Sequence, residues 1–211
     1  YLRQDHHGRY AEPAHRRIAA LTAPASTTPT AADLMPRTGD TWRYRITDQF
    51  RLGDLFVTAR VESVSGDGVA ETWTSTSDAR VRTTLVPFKA GFSALPGWDI
   101  APPEFAPYLQ ATTPSTGSPP LPGPLQRRVG TVAVPLQAQW LGEEEVVVGA
   151  GRFRAQKLRL RGEVALRKLS AEHTVWYAPS VRRVVKYQVQ SYADSRLLER
   201  TTFELTEYKL N

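Results

Sequence analysis

From residue 41 onward, apolar and polar side chains change sides at every second position. Trp42, Tyr44 and Ile46 take one side; Arg43, Arg45 and Thr47 take the other. A period of two marks a strand with one face covered and one face wet. Val57, Ala59 and Val61 repeat the pattern, Ser65-Gly66-Asp67-Gly68 supplies a turn, and Trp73 stands on the returning arm. That combination predicts a hairpin. "ARVRTTLVPF" predicts a further strand ending at Pro87. After residue 130 the pattern is most regular: "TVAVPLQAQWLG", "EEEVVVG", "GRFRAQKLRLRG", "EVALRKLS", "EHTVWYAP", "VRRVVKYQVQSYAD" and "RLLERTTFELTEYKL" are successive strand candidates. Leu158 and Leu160 alternate with Arg159 and Arg161; Val185, Tyr187 and Val189 alternate with Lys186, Gln188 and Gln190. Gly149-Ala150-Gly151 and Ala178-Pro179-Ser180 suit hairpin corners better than crossover helices.

The rest of the chain breaks this rhythm. Residues 1–39 read as a tail: "YAEPAHRRIAAL" predicts a short helix, and "TAPASTTPTAAD" is an Ala/Thr/Pro tether with nothing to bury. Residues 40–211 read as one antiparallel β domain, interrupted at 88–126 by an irregular Pro-rich insertion with one short helix predicted near 104–110. The predicted fold class is mainly β: a curled antiparallel sheet or incomplete β-barrel with one or two short helices and an extended N-terminal tail.

Composition narrows the functions. At 211 residues the chain can bury a core without staples, and no apolar run approaches the roughly 20 residues of a membrane helix. The formal charge of +6 suits anionic partners, yet no nucleic-acid module accompanies it. With no cysteine, disulfides, thiolate zinc sites and a thiol nucleophile are excluded. The sequence begins with Tyr1; a removed or upstream signal peptide or lipid anchor is the expectation.

Two stretches carry a resemblance. "GEEEVVVGAGRFRAQKLRL" followed by "TVWYAPSVRRVVKY" resembles paired hairpins of uncharacterised bacterial envelope proteins, and the opening "PRTGDTWRYR" is similar to how such domains begin. That family looks like periplasmic proteins with an incomplete antiparallel barrel, similar in shape to lipoprotein carriers of the LolA kind. The resemblance implies a location in the periplasm or at the outer membrane, and it brings no catalytic residues. Gly149 departs from the proline usual before "AG" in that pattern.

Candidate chemistry is sparse. Asp5, His6 and His7 offer metal-ligand types but lack further ligands nearby. Ser170 or Ser180 with His173 could be drawn as a nucleophile–base pair, but no G-x-S-x-G elbow exists. Glu143, Glu144 and Glu145 are expected in water or facing arginines of a neighbouring strand. No phosphate loop, zinc motif or calcium loop appears. No cofactor, metal or catalytic residue is therefore assigned. The remaining candidate is the concave apolar face, formed by Trp42, Tyr44, Trp73, Leu158, Leu160, Val185 and Tyr187. It is either a groove for an acyl chain or simply the core. The expected function is a non-enzymatic envelope accessory protein, docking on other envelope proteins through its tail and Pro-rich loop. Lipid or anionic envelope components are further expected partners. The alternatives are a carrier for an acyl chain or lipoprotein and, more weakly, an unrecognised hydrolase.

Overall fold

The structure, a computed structural model, describes residues 35–50, 52–66, 68–76, 82–87 and 125–211, all within the unit Ala31–Asn211. They form ten strands: β1 Thr41–Asp48, β2 Leu55–Val64, β3 Gly68–Ser75, β4 Arg82–Pro87, β5 Leu125–Val129, β6 Val132–Val148, β7 Gly151–Val164, β8 Leu169–Ala178, β9 Arg183–Ala193 and β10 Arg196–Lys209. The strands make one sheet in the order β4-β3-β2-β1-β10-β9-β8-β7-β6-β5, and every neighbouring pair is antiparallel. Two meanders therefore meet in the middle, where the first strand pairs with the last. The sheet is open, ending at β4 and β5. The mainly-β curled sheet predicted from alternation is the fold. The helices predicted near residue 13 and near 104–110, most of the tail and most of the insertion lie outside the described residues.

Alternation works because the sheet has one covered face. Trp42, Tyr44 and Ile46 on β1, Val57, Ala59 and Val61 on β2, and Val69 and Trp73 on β3 are buried. So are Leu158 and Leu160 on β7, Val185, Tyr187 and Val189 on β9, and Phe203 and Leu205 on β10. Burying each large side chain contributes about 1.5–3 kcal/mol. The predicted turn at Ser65-Gly66-Asp67-Gly68 closes with a Ser65 N–H to Gly68 carbonyl bond of 2.9 Å.

Three boundaries differ from the sequence reading. "TVAVPLQAQWLG" and "EEEVVVG" are one strand, β6, because Gly142 (φ +91°) absorbs a bulge between Trp140 and Gly142 without ending the ladder. "EVALRKLS" is a corner and not a strand: Ala165–Arg167 form a 3-10 turn and Lys168 is left-handed at φ 49°. β5 was hidden in the irregular stretch because its centre is Arg127-Arg128; it pairs only with residues 132–136 of β6.

One end of the sheet is tied where the chain enters β1 and leaves β10. Asp40, fully buried, accepts bonds from Arg37 N–H at 2.8 Å, Asn211 N–H at 2.7 Å and the Arg182 guanidinium at 2.9 Å. Its carboxylate joins the start of β1, the C-terminus and the β8–β9 corner, where Pro179–Val181 form a 3-10 turn and Arg182 is left-handed. The β6–β7 turn reaches β10 through an Ala150 N–H to Leu205 carbonyl bond of 2.9 Å. A Cβ on Gly149 would lie 3.3 Å from the Thr206 backbone, so glycine permits that close approach.

Candidate functional site

The inner face brings together all seven residues singled out from the sequence. Trp42, Tyr44, Trp73, Leu158, Leu160, Val185 and Tyr187 each have 0 % exposure. They fill the covered face, and none of them lines either of the two surface grooves described below.

Among the aromatics lies a charge pair that the sequence reading missed. Arg183 and Glu71 are both fully buried. The guanidinium donates to both Glu71 oxygens, at 2.6 and 3.2 Å, and through Nε to the Tyr44 hydroxyl at 3.0 Å. The Tyr44 hydroxyl in turn donates to the Val184 carbonyl at 2.6 Å. The guanidinium carbon sits 4.3 Å from the Trp42 ring centre, 5.4 Å from that of Trp73 and 5.9 Å from that of Tyr44. Two-pronged bonding and ring contact are what a desolvated guanidinium needs. Burial pushes the Tyr44 hydroxyl well above the usual phenol range, and Arg183 offsets only part of this. A signal existed. Arg183 lies two positions before Val185, and Glu71 lies between Val69 and Trp73, so both share the apolar phase of their strands.

The other candidates separate. His173 is buried on the inner face, its Nδ1 2.5 Å from the Tyr187 hydroxyl, and Tyr187 meets Phe203 edge-on at 5.8 Å. Ser170 belongs to the opposite phase of β8. Ser180 lies in the turn beyond that strand's end, more than about 15 Å along it. The structure brings neither serine to the imidazole. The glutamate run faces cations of β7, as expected: Glu143 with Arg154 at 2.6 Å, Glu144 with Lys157 at 3.0 Å, and Glu145 with Arg152. Asp5, His6 and His7 lie outside the described residues; among those described, no cluster of metal-ligand residues occurs.

The outer face carries a row of cross-strand neighbours. Lys157 pairs with Trp176, Trp176 with Lys186, Lys186 with Glu204, and Glu204 with Arg45. Directly paired residues share a face, so Trp176 is covered by lysine stems on the outer side. The two ammoniums lie 5.1 and 5.8 Å from its ring centre, and its indole N–H donates to Glu144. That hydrogen bond, then the one from Lys157, lowers the Glu144 carboxyl below its usual range. Burial pushes the Glu204 carboxyl up, but hydrogen bonds from Lys186 and Arg45, both at 2.8 Å, outweigh it and the net shift is downward.

Two grooves open on the surface. One, of about 420 Å³, is lined by Arg43, Phe56, Thr58, Thr74, Tyr208 and their neighbours. The other, of about 590 Å³, lies where β6 leaves β7 at Pro135, between Gln137, Gln139, Arg159, Arg161 and Glu163. Both are wet and polar; neither converges a nucleophile and a base.

No protein-family model matches this chain, and no curated protein matches it. Similar solved chains include a candidate lipoprotein of Parabacteroides distasonis ATCC 8503, at 11 % identity and TM-score 0.46, covering 83 % of this chain and 98 % of that one. A candidate exported protein of Bacteroides fragilis NCTC 9343 with a YmcC-like fold shows 13 % identity and TM-score 0.47 over 82 % of this chain and 97 % of that one. A candidate outer-membrane lipoprotein-sorting domain of Vibrio parahaemolyticus shows 7 % identity and TM-score 0.31 over 86 % and 89 %. At these values the likeness fixes neither family nor activity.

Proposed function

We propose that this protein is a non-enzymatic accessory protein of the bacterial envelope, periplasmic or attached to a membrane surface, that docks on other envelope proteins as a subunit of a larger assembly. The observation that carries the reading is the filled inner face. The seven aromatic and aliphatic residues best suited to hold an acyl chain have no exposed surface, and the charges buried beside them, Arg183 and Glu71, satisfy each other. Recognition is then left to the outer surface and to the segments attached to the sheet. The envelope setting is supported by the resemblance of the 142–160 and 174–187 stretches to envelope hairpins.

The test compares the full chain with a version beginning at residue 35. The shorter chain keeps Asp40 and its three partners, so its melting temperature should match the parent's. The expected result is that the full chain sediments with a partner from the membrane fraction and the shorter one alone. Retention of the partner by the shorter chain, or no partner for either, would count against docking through the tail. Stoichiometric uptake of a fluorescent fatty acid that quenches Trp42 and Trp73 would establish a carrier instead.

A further inference from the structure

We infer that one end of the sheet is a contact surface for anionic lipid. Three successive hairpin tips gather there. The β1–β2 tip spans residues 49–54, the β7–β8 tip is Ala165–Arg167 with Lys168, and the β9–β10 tip is Asp194 and Ser195. These tips join the six adjacent strands β2-β1-β10-β9-β8-β7, a rim of about 25 Å at normal strand spacing. Two of the tips touch, the Asp194 N–H donating to the Lys168 carbonyl at 2.8 Å, and the β1–β2 tip is held to the body of β10 by the Gln49 N–H, which donates to the Arg200 carbonyl at 3.0 Å. Lys168 Nζ bonds Asp194 at 2.8 Å.

Bare apolar surface lies at all three tips, and arginine stands beside it at the β7–β8 and β9–β10 tips. Leu52 is 105 % exposed and Leu166 99 %, the two barest large apolar side chains among the described residues; Phe50 (59 %) and Leu198 (45 %) join them. Leu198 is the extra residue of a bulge between Leu197 and Glu199, which turns it outward. In sequence Arg51 stands between Phe50 and Leu52, Arg167 follows Leu166, and Arg196 precedes Leu197 and Leu198. Arg167 and Arg196 make no ion pair with the described residues, whereas three aspartates of the tips are engaged. Asp194 holds Lys168, Asp54 faces Arg45, and Asp48 accepts the Phe50 N–H at 2.9 Å.

Scattered apolar side chains are ordinary on a protein surface. A row of them on neighbouring tips, with the guanidiniums of Arg167 and Arg196 beside it, matches the boundary between headgroups and acyl chains, where leucine enters and arginine meets phosphate. A protein groove would take a continuous apolar ridge more readily than separate tips interleaved with charge. The surface is independent of the docking reading, since the tail enters β1 at the opposite end of the sheet.

The experiment is flotation of the full chain with phosphatidylcholine vesicles and with phosphatidylcholine–phosphatidylglycerol vesicles. The expected result is flotation with the second only, weakened by salt. Leu52→Ser with Leu166→Ser, and separately Arg167→Glu with Arg196→Glu, should each cut partitioning about tenfold or more. Val147→Ser, an exposed valine near the other end, should leave it unchanged. Should a double variant lose stability, Leu166→Ser alone, at a fully bare position, still gives a readable decrease. No flotation with either vesicle, tip variants that float as well as the parent, or tips that hold a protein while leaving lipid binding intact would each overturn the inference.

Discussion

Replacing Glu71 by alanine would leave the Arg183 guanidinium buried without its carboxylate. The two groups make a pair of bonds at 2.6 and 3.2 Å with no solvent-exposed surface on either side chain. Breaking a buried pair from one side typically costs about 3–5 kcal/mol, because the remaining charge has lost its compensation. The indoles of Trp42 and Trp73, 4.3 and 5.4 Å from the guanidinium carbon, still face the cation and hold the loss near the lower figure, about 3 kcal/mol. For a domain of this size that corresponds to a melting temperature lowered by about 6–12 °C. Urea unfolding read by tryptophan fluorescence suits the measurement, since two of the five tryptophans line the nest. The double variant Glu71→Met with Arg183→Met removes both charges and should return to within about 2 kcal/mol of the parent, or exceed it. A single variant costing under about 1 kcal/mol, or a double variant as damaging as the two singles summed, would refute a closed, desolvated pair.

Other consequences follow from the same geometry. Asp40→Ala removes three bonds at one buried carboxylate and should cost about 3 kcal/mol in urea unfolding, with faster amide exchange at the C-terminus. Gly162→Ala places a Cβ 2.0 Å from the Pro135 carbonyl oxygen, a backbone atom, and should cost about 1–3 kcal/mol as β6 is pushed from β7. Acid should weaken the outer row. The Glu204 and Glu144 carboxyls are lowered from the ordinary 4.5. Their contribution is complete above that value and is lost as the pH falls through their lowered folded values. Glu204→Gln should therefore flatten the acid limb of a stability–pH profile; an unchanged limb would remove this row from the acid response.

Period two made most of the strands legible. The side chains of β1, β2 and β9 needed no more than counting in twos, and Pro179 and Gly149 marked their corners by their own backbone chemistry. What alternation could not supply was the partner of each strand. Pairing of β1 with β10 joins residues about 160 positions apart, and a strand's sequence says which face is covered and not by which neighbour. Bulges defeated the boundaries, because Gly142 lets one long strand look like two. The site was legible as apolar surface and illegible as a charge nest. Arg183 and Glu71 each look like wet-face residues until their phase is counted, and only the fold brings β3 and β9 together. Trp176 is the converse case, since an aromatic on the wet face is only 7 % exposed where two lysine stems cover it.

The fold depends on β1 and β10 meeting at the centre of one open antiparallel sheet. The chain has no cysteine, so an engineered pair reports without background. Thr47 and Thr202 are direct cross-strand partners of β1 and β10, at a separation a disulfide can bridge. Thr47→Cys with Thr202→Cys should crosslink on mild oxidation in the folded protein, whereas Thr47→Cys with Arg200→Cys, displaced by two residues, should stay reduced. Equal crosslinking of both pairs, or of neither, would contradict the pairing.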